Sequence, residues 1–210
     1  MLVATATTGA HRDPNRPAVS ETEQALRSFE DEQDAAIYLT AALSGLRRGE
    51  LLALRWADVD FEQSSTRVYE GYSANTTGHT KSRRSRTVPM VDKVAERLTV
   101  LKGRGYLTGK THLVFVSRER TNVDGSALRL RYVATLDAAG LRRLRFHDLR
   151  HTFGSLAINV ASIVQVQAWM GHADIKTTMR YLHHKSRADD ARLLSAAFEP
   201  PEAELDGAAA

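Results

Sequence analysis

The chain contains no cysteine, which excludes disulfide staples and thiol chemistry and fits a reducing compartment such as the cytoplasm. It has no membrane-length apolar run either. AAIYLTAAL, residues 35–43, is among its longest hydrophobic stretches, well short of the roughly 20 residues a spanning helix needs, so no membrane partner is expected. The first residues, MLVATATTGA, lack the basic start of a secretory leader. No internal repeat is visible. What is present is 210 residues, 42% hydrophobic, enough to bury a real core. Net charge is only +4, but it is unevenly spread. EDEQD (30–34) and EPPEAELD (199–206) are acidic, whereas KSRRSR (81–86) and RRLRFHDLRH (142–151) are basic. Basic clusters of this kind suit a polyanionic partner, although any one of them could be ordinary solvated surface.

The pattern of elements is mostly helical. Residues 1–19, with Pro14 and Pro17 and no periodicity, read as a linker or flexible arm. A capping-box pattern, Ser20 to Glu23, predicts a helix from about 21. A second helix is expected over 31–43 with Gly45 as its stop, and RRGELLALRWADVD (47–60) reads as a short helix ending before Asp58. The period then changes. SSTRVYEGY (64–72) and RSRTVPMV (84–91) are strand-like, joined by a polar hairpin or meander. Helix resumes over 91–102, and LVFVS (113–117) is a short strand or buried extended piece. Helices are expected at 125–139, 147–159, 162–170, 174–182 and 187–198, followed by a disordered tail at 199–210. The fold class is therefore α+β, mostly α, with a small antiparallel sheet inserted early.

Polar groups at element boundaries or among apolar neighbours suggest one chemistry. Arg47 lies in SGLRRGELLALRW, Lys81 in HTKSRRSRTVPM, and His147 and Arg150 in FHDLRHTF. His172 and Tyr181 lie in WMGHADIKTTMRYLH. A phosphodiester gains charge on its non-bridging oxygens as it is attacked, and two guanidiniums bind such oxygens in planar, bidentate fashion. A donor placed in advance is commonly worth roughly 10²–10³ in rate. A phenol of pKa about 10 is a poor nucleophile until its proton is accepted, and a lysine can protonate the leaving alkoxide. His147 and Arg150, three apart, share one helix face, while Phe146, Leu149 and Phe153 pack the other side. Taken singly, each residue has a plain structural reading: an exposed arginine, a hairpin lysine, a core tyrosine. HDLRH, residues 147–151, lacks the glutamate of HExxH, and Arg150 would repel a cation, so metal binding is not expected.

GLRRGELLALRW, TKSRRSRTVP, FHDLRHTF and MGHADIKTTMRYLH resemble, in order and spacing, the motifs of the catalytic domain of tyrosine recombinases, the phage-integrase family. The resemblance covers about residues 20–198 and implies a helical catalytic domain of the DNA breaking-rejoining type. It implies that Arg47, Arg150 and His172 contact the scissile phosphate. It makes Lys81 the general acid for the 5′-hydroxyl, His147 the acceptor of the tyrosine proton, and Tyr181 the nucleophile that forms a 3′-phosphotyrosine. Glu50 matches a buttressing acidic position. Arg83, Arg84 and Arg86 in the hairpin, with Arg145 and His151 near the helix start, are candidate DNA contacts at the flanks rather than catalytic groups. No cofactor, ATP or metal is implied.

The implied partner is a double-stranded recombination site, bound by a homotetramer, with accessory DNA-bending or directionality factors. The chain by itself is expected to be monomeric, and 187–198 is the candidate docking helix. The family's N-terminal core-binding domain is expected to be absent. MGH stands where LGH is more usual, a tolerable apolar exchange. Two other readings are type IB topoisomerase-like relaxation, which shares the chemistry, and a non-catalytic DNA-binding regulator using 147–159 and 162–170 as helix-turn-helix.

Overall fold

The computed structural model describes residues 24, 25, 27–73, 76–79 and 85–184. The expected arm, the helix start near 21, most of the basic hairpin with Lys81, Arg83 and Arg84, the helix at 187–198 and the tail lie outside these residues.

The centre is α1 (Glu32–Ser44). Asp31 caps it by accepting the Asp34 N–H, and Gly45 ends it at φ +64°. Apolar, small and hydroxyl-bearing residues surround this helix on all sides, and almost all of it is buried, as expected of a helix with neighbours all round. Its Thr40 and Ser44 hydroxyls are spent on carbonyls four residues back. Gly45 is required twice over. Its left-handed backbone disfavours a side chain, and a Cβ there would lie 2.4 Å from the Phe153 ring.

Around α1 pack α2 (Arg48–Leu52), α3 (Asp92–Lys102), α4 (Gly125–Ala138) and α5 (Phe146–Ala157). An aromatic stack ties α4 to α1: Tyr38 lies 4.3 Å from Tyr132 and 4.7 Å from Phe29, ring centre to ring centre. The antiparallel sheet has the order β1 (Val59–Asp60), β2 (Ser65–Val68), β5 (Arg86–Pro89). β3 (Glu70–Ser73) and β4 (Thr76–His79) form a separate hairpin. A second, smaller core gathers Ile158, Val166, Met170 and Tyr181 between α5, α6 (Ile163–Met170) and α7 (Ile175–Met179).

The fold class is as expected, with local differences. α2 stops at Leu52 because the chain beyond it pairs with a distant segment: Val114 N–H donates to Leu54 O, and Trp56 N–H to His112 O. Residues 113–117 are the buried extended piece, making only an isolated bridge from Leu113 to Arg55. α7 is shorter than expected, giving way to a 3-10 turn at Leu182–His184. No helix among the described residues is long and apolar enough to cross a membrane.

Candidate active site

Three backbone corners converge: the end of α1, the start of α2 and the end of α6. Arg150 projects from α5 into this junction and is almost wholly buried. Its guanidinium donates to Gly45 O and to Met170 O. Arg47, immediately before α2, donates to Gly171 O at 2.8 Å. The two guanidiniums thus bind adjacent carbonyls of the same turn, although a hundred residues separate them in sequence. Burial, then the nearby Arg47 charge, lowers Arg150 to about 10, still charged at neutral pH.

Glu50 holds the other side. Its carboxylate accepts the Arg47 backbone N–H and guanidinium, both at 2.8 Å, and two further bonds from Arg86 at 3.0 and 2.6 Å. Burial pushes this carboxyl up, but the hydrogen bonds and charge of Arg86, then Arg47, more than offset it and hold it below the ordinary range. Arg86 also donates to Trp169 O at 2.8 Å. One carboxylate therefore joins the start of β5, Arg47 before α2 and, through Arg86, the end of α6.

Gly171 closes α6 at φ +64°, and His172 follows. Its Nδ1 shares a 2.9 Å hydrogen bond with Thr178 Oγ1. Burial, then Arg150 and Arg47, depresses its pKa to about 4, so the ring is neutral at pH 7. Tyr181 lies beneath α5, 3% exposed. Its ring is parallel to His172 at 6.4 Å, and its hydroxyl is 2.8 Å from His151 Nδ1. Only glycine at 154 permits this seat, since a Cβ there would lie 2.6 Å from Tyr181 Cζ. Burial raises the phenol, while Arg150 and Arg180 pull it back down in part. Beside the junction opens a cavity of about 550 Å³, walled by Arg47, Arg48, Arg129, Arg145 and His147. Among the described residues no cluster of three metal-ligating side chains occurs.

The model of the phage integrase family matches residues 19–187, most of the chain. The chain belongs to the phage integrase family. Curated relatives include a XerC-like tyrosine recombinase of Caldanaerobacter subterraneus subsp. tengcongensis, 29% identical over 175 residues covering 71% of this chain and 45% of that protein. Tyrosine recombinase XerC of Pseudomonas putida is 29% identical over 177 residues, 80% of this chain and 56% of that one. The chain spans about half the length of these relatives. The crystal structure of XerA recombinase superposes with a TM-score of 0.68 at 25% identity, over 93% of this chain and 68% of that one. The catalytic domain of bacteriophage HP1 integrase shares the fold, with a TM-score of 0.61 at 21% identity, over 89% of this chain and 95% of that one.

Within this integrase-family fold, Arg47, Arg150, His172, Tyr181 and Glu50 come together. Lys81, Arg83 and Arg84 lie outside the described residues. His147 sits on the exposed edge of α5; burial of its inner face, then the Arg150 charge, keeps its pKa low. It does not meet the phenol. His151, expected at the DNA flank, does, its Nδ1 lying 2.8 Å from the Tyr181 hydroxyl. Arg86, also expected to contact DNA, is turned inward with only 9% of its side chain exposed. Arg145 remains on the surface, paired with Asp148 at 2.9 Å. Sequence reasoning missed the Arg86 brace, yet strand alternation carried the signal: Arg86 shares a face with the fully buried Val88.

Proposed function

We propose that this chain cuts and rejoins DNA strands by transesterification, as the catalytic part of a site-specific recombinase. The observation that carries it is the meeting of Arg47, Arg150 and His172 at one turn, with the Tyr181 ring stacked on His172. Two guanidiniums and an imidazole present N–H donors where a phosphate's non-bridging oxygens would sit, and they gain most as charge develops there. Tyr181 attacks phosphorus, a 3′-phosphotyrosine forms, and the 5′-oxygen leaves with a proton from Lys81. The 5′-hydroxyl of a partner duplex then reverses the step. Each exchange replaces one phosphodiester by another, so no external energy source is required.

Double-stranded DNA is the substrate. The arginine-walled cavity beside the site supports this, as does the likeness of the fold to the Tn1549 transposon integrase, solved in complex with a circular intermediate DNA. Recombination proceeds in a tetramer assembled on the site, with residues 187–198 docking on a neighbour, in the cytoplasm where bacterial DNA lies; DNA-bending or directionality factors set the outcome. The free chain is monomeric and binds DNA with steep salt dependence.

The test is a library of random-sequence duplexes nicked just beyond the cleavage position, so that the short 5′ end diffuses away and traps the adduct. Wild type gives a covalent protein–DNA band and Tyr181→Phe does not. A band from Tyr181→Phe, or none from wild type, removes the proposal. For the recovered duplex, Lys81→Ala is slow on ordinary DNA and recovers with a 5′-bridging sulfur, whose departure needs no proton. A failure to recover rejects the acid assignment.

A further inference from the structure

His151 touches the attacking oxygen, and none of the roles above accounts for it. We propose that His151 is a further catalytic residue, the group that accepts the Tyr181 phenolic proton as the strand is cut. The inference rests on Tyr181 being the nucleophile.

The geometry leaves one acceptor in contact. The Tyr181 ring lies against α5 where Gly154 has no side chain, and from that seat its hydroxyl meets Nδ1 of His151, one turn earlier on the same helix, at 2.8 Å. The other histidines are placed differently. The His172 ring is parallel to the phenol with centres 6.4 Å apart, and its Nδ1 is engaged by Thr178. His147 lies edge-on to His151, ring centres 4.8 Å apart, and the phenol's hydrogen bond goes to His151. Burial keeps the phenol protonated at rest, so attack requires that a proton leave at that moment. For Nδ1 to accept, the neutral ring carries its own proton on Nε2.

The step balances. The Tyr181 Oη–phosphorus bond forms as the Oη–H bond breaks, and that proton moves to His151 Nδ1. The bond from phosphorus to the 5′-oxygen breaks, and that oxygen takes its proton from the acid. In the rejoining step a 5′-hydroxyl attacks the phosphotyrosine and gives its proton back to the now-neutral Lys81, while the His151 imidazolium returns its proton to the departing phenolate. The imidazole is flanked by the His147 ring on its own helix and by the Tyr181 ring from the segment packed beneath.

The test uses the nicked duplex trapped by wild type, so a wild type that traps nothing fails the functional proposal rather than this one. His151→Gln keeps a hydrogen-bonding side chain that cannot take a proton. Its covalent complex should form about 10²-fold more slowly than wild type while non-covalent affinity for the duplex holds. Placing 2,3-difluorotyrosine at position 181, a phenol that gives up its proton more readily, should recover at least about tenfold of that loss. A His151→Gln rate within about threefold of wild type overturns the inference. So does a loss that fluorination leaves unchanged, since a merely structural tie would respond in that way. If circular dichroism shows that His151→Gln does not fold, His151→Asn takes its place with the same two deciding outcomes.

Discussion

Replacing Glu50 by glutamine should cost this protein much of its stability as well as its activity. The carboxylate accepts four N–H donors, two from Arg47 and two from Arg86. Glutamine keeps the shape but removes the charge and turns an N–H₂ toward a guanidinium. The Arg86 half dominates, because that side chain is 9% exposed and Glu50 4%. Breaking a buried pair by removing one member costs about 3–5 kcal/mol. The Arg47 half, with 45% of the arginine side chain exposed, adds roughly 0–1 kcal/mol. At roughly 2–4 °C per kcal/mol for a chain of this size, the melting temperature should fall by at least about 6–12 °C. The effect should depend on pH. The Glu50 pKa is lowered by folding, so its contribution is complete above the ordinary carboxylate range and disappears as pH falls through the folded value. Thermal and urea unfolding at pH 7 and in acid measure both. Glu50→Leu combined with Arg86→Met should regain most of the stability, since a whole buried pair can be replaced by apolar groups at little cost. It should not regain strand cleavage, because Arg47 would lose its brace. A Glu50→Gln protein melting within about 2 °C of wild type at pH 7 would refute the reasoning.

Further outcomes follow from the same geometry. Arg47→Lys, which keeps charge but loses the planar fork, should slow covalent-complex formation by about 10²-fold or more and shift the unfolding midpoint little; near-normal cleavage would remove Arg47 from the phosphate site. Gly154→Ala should expel the Tyr181 ring, since its Cβ would lie 2.6 Å from Cζ, lowering stability by about 1–3 kcal/mol and increasing the phenol's access to solvent in tyrosine fluorescence quenching; an unchanged quenching constant would contradict the seat described. His172, held neutral with a pKa of about 4, is expected to gain a proton when a phosphate offsets Arg150 and Arg47. Calorimetry of DNA binding near pH 5.5 in buffers of different ionisation heat should show proton uptake that His172→Asn abolishes.

Much of this was legible because the informative residues sit at boundaries. Gly45 and Gly171 announced helix ends, and both proved left-handed. The spacing of His147 and Arg150 predicted one helix, and α5 carries both. The same spacing rule applied one residue further would have grouped His151 with them. What the sequence does not show is that Tyr181 packs beneath α5, which brings its hydroxyl to His151. Likewise Arg86 read as one more cation of a basic run, until strand alternation placed it with Val88. The early end of α2 could not be read locally, because its cause is the pairing of residues 54–56 with 112–114, a segment far along the chain.

The central claim is that the Tyr181 oxygen attacks phosphorus at the junction of Arg47, Arg150 and His172. Tryptic digestion of the trapped covalent complex and mass spectrometry of the DNA-bearing peptide test it directly. Cleavage after Arg180 releases YLHHK, residues 181–185, and the account predicts the nucleotide mass on its tyrosine. An adduct on any other residue, such as Tyr38, Tyr132 or a serine, would contradict it.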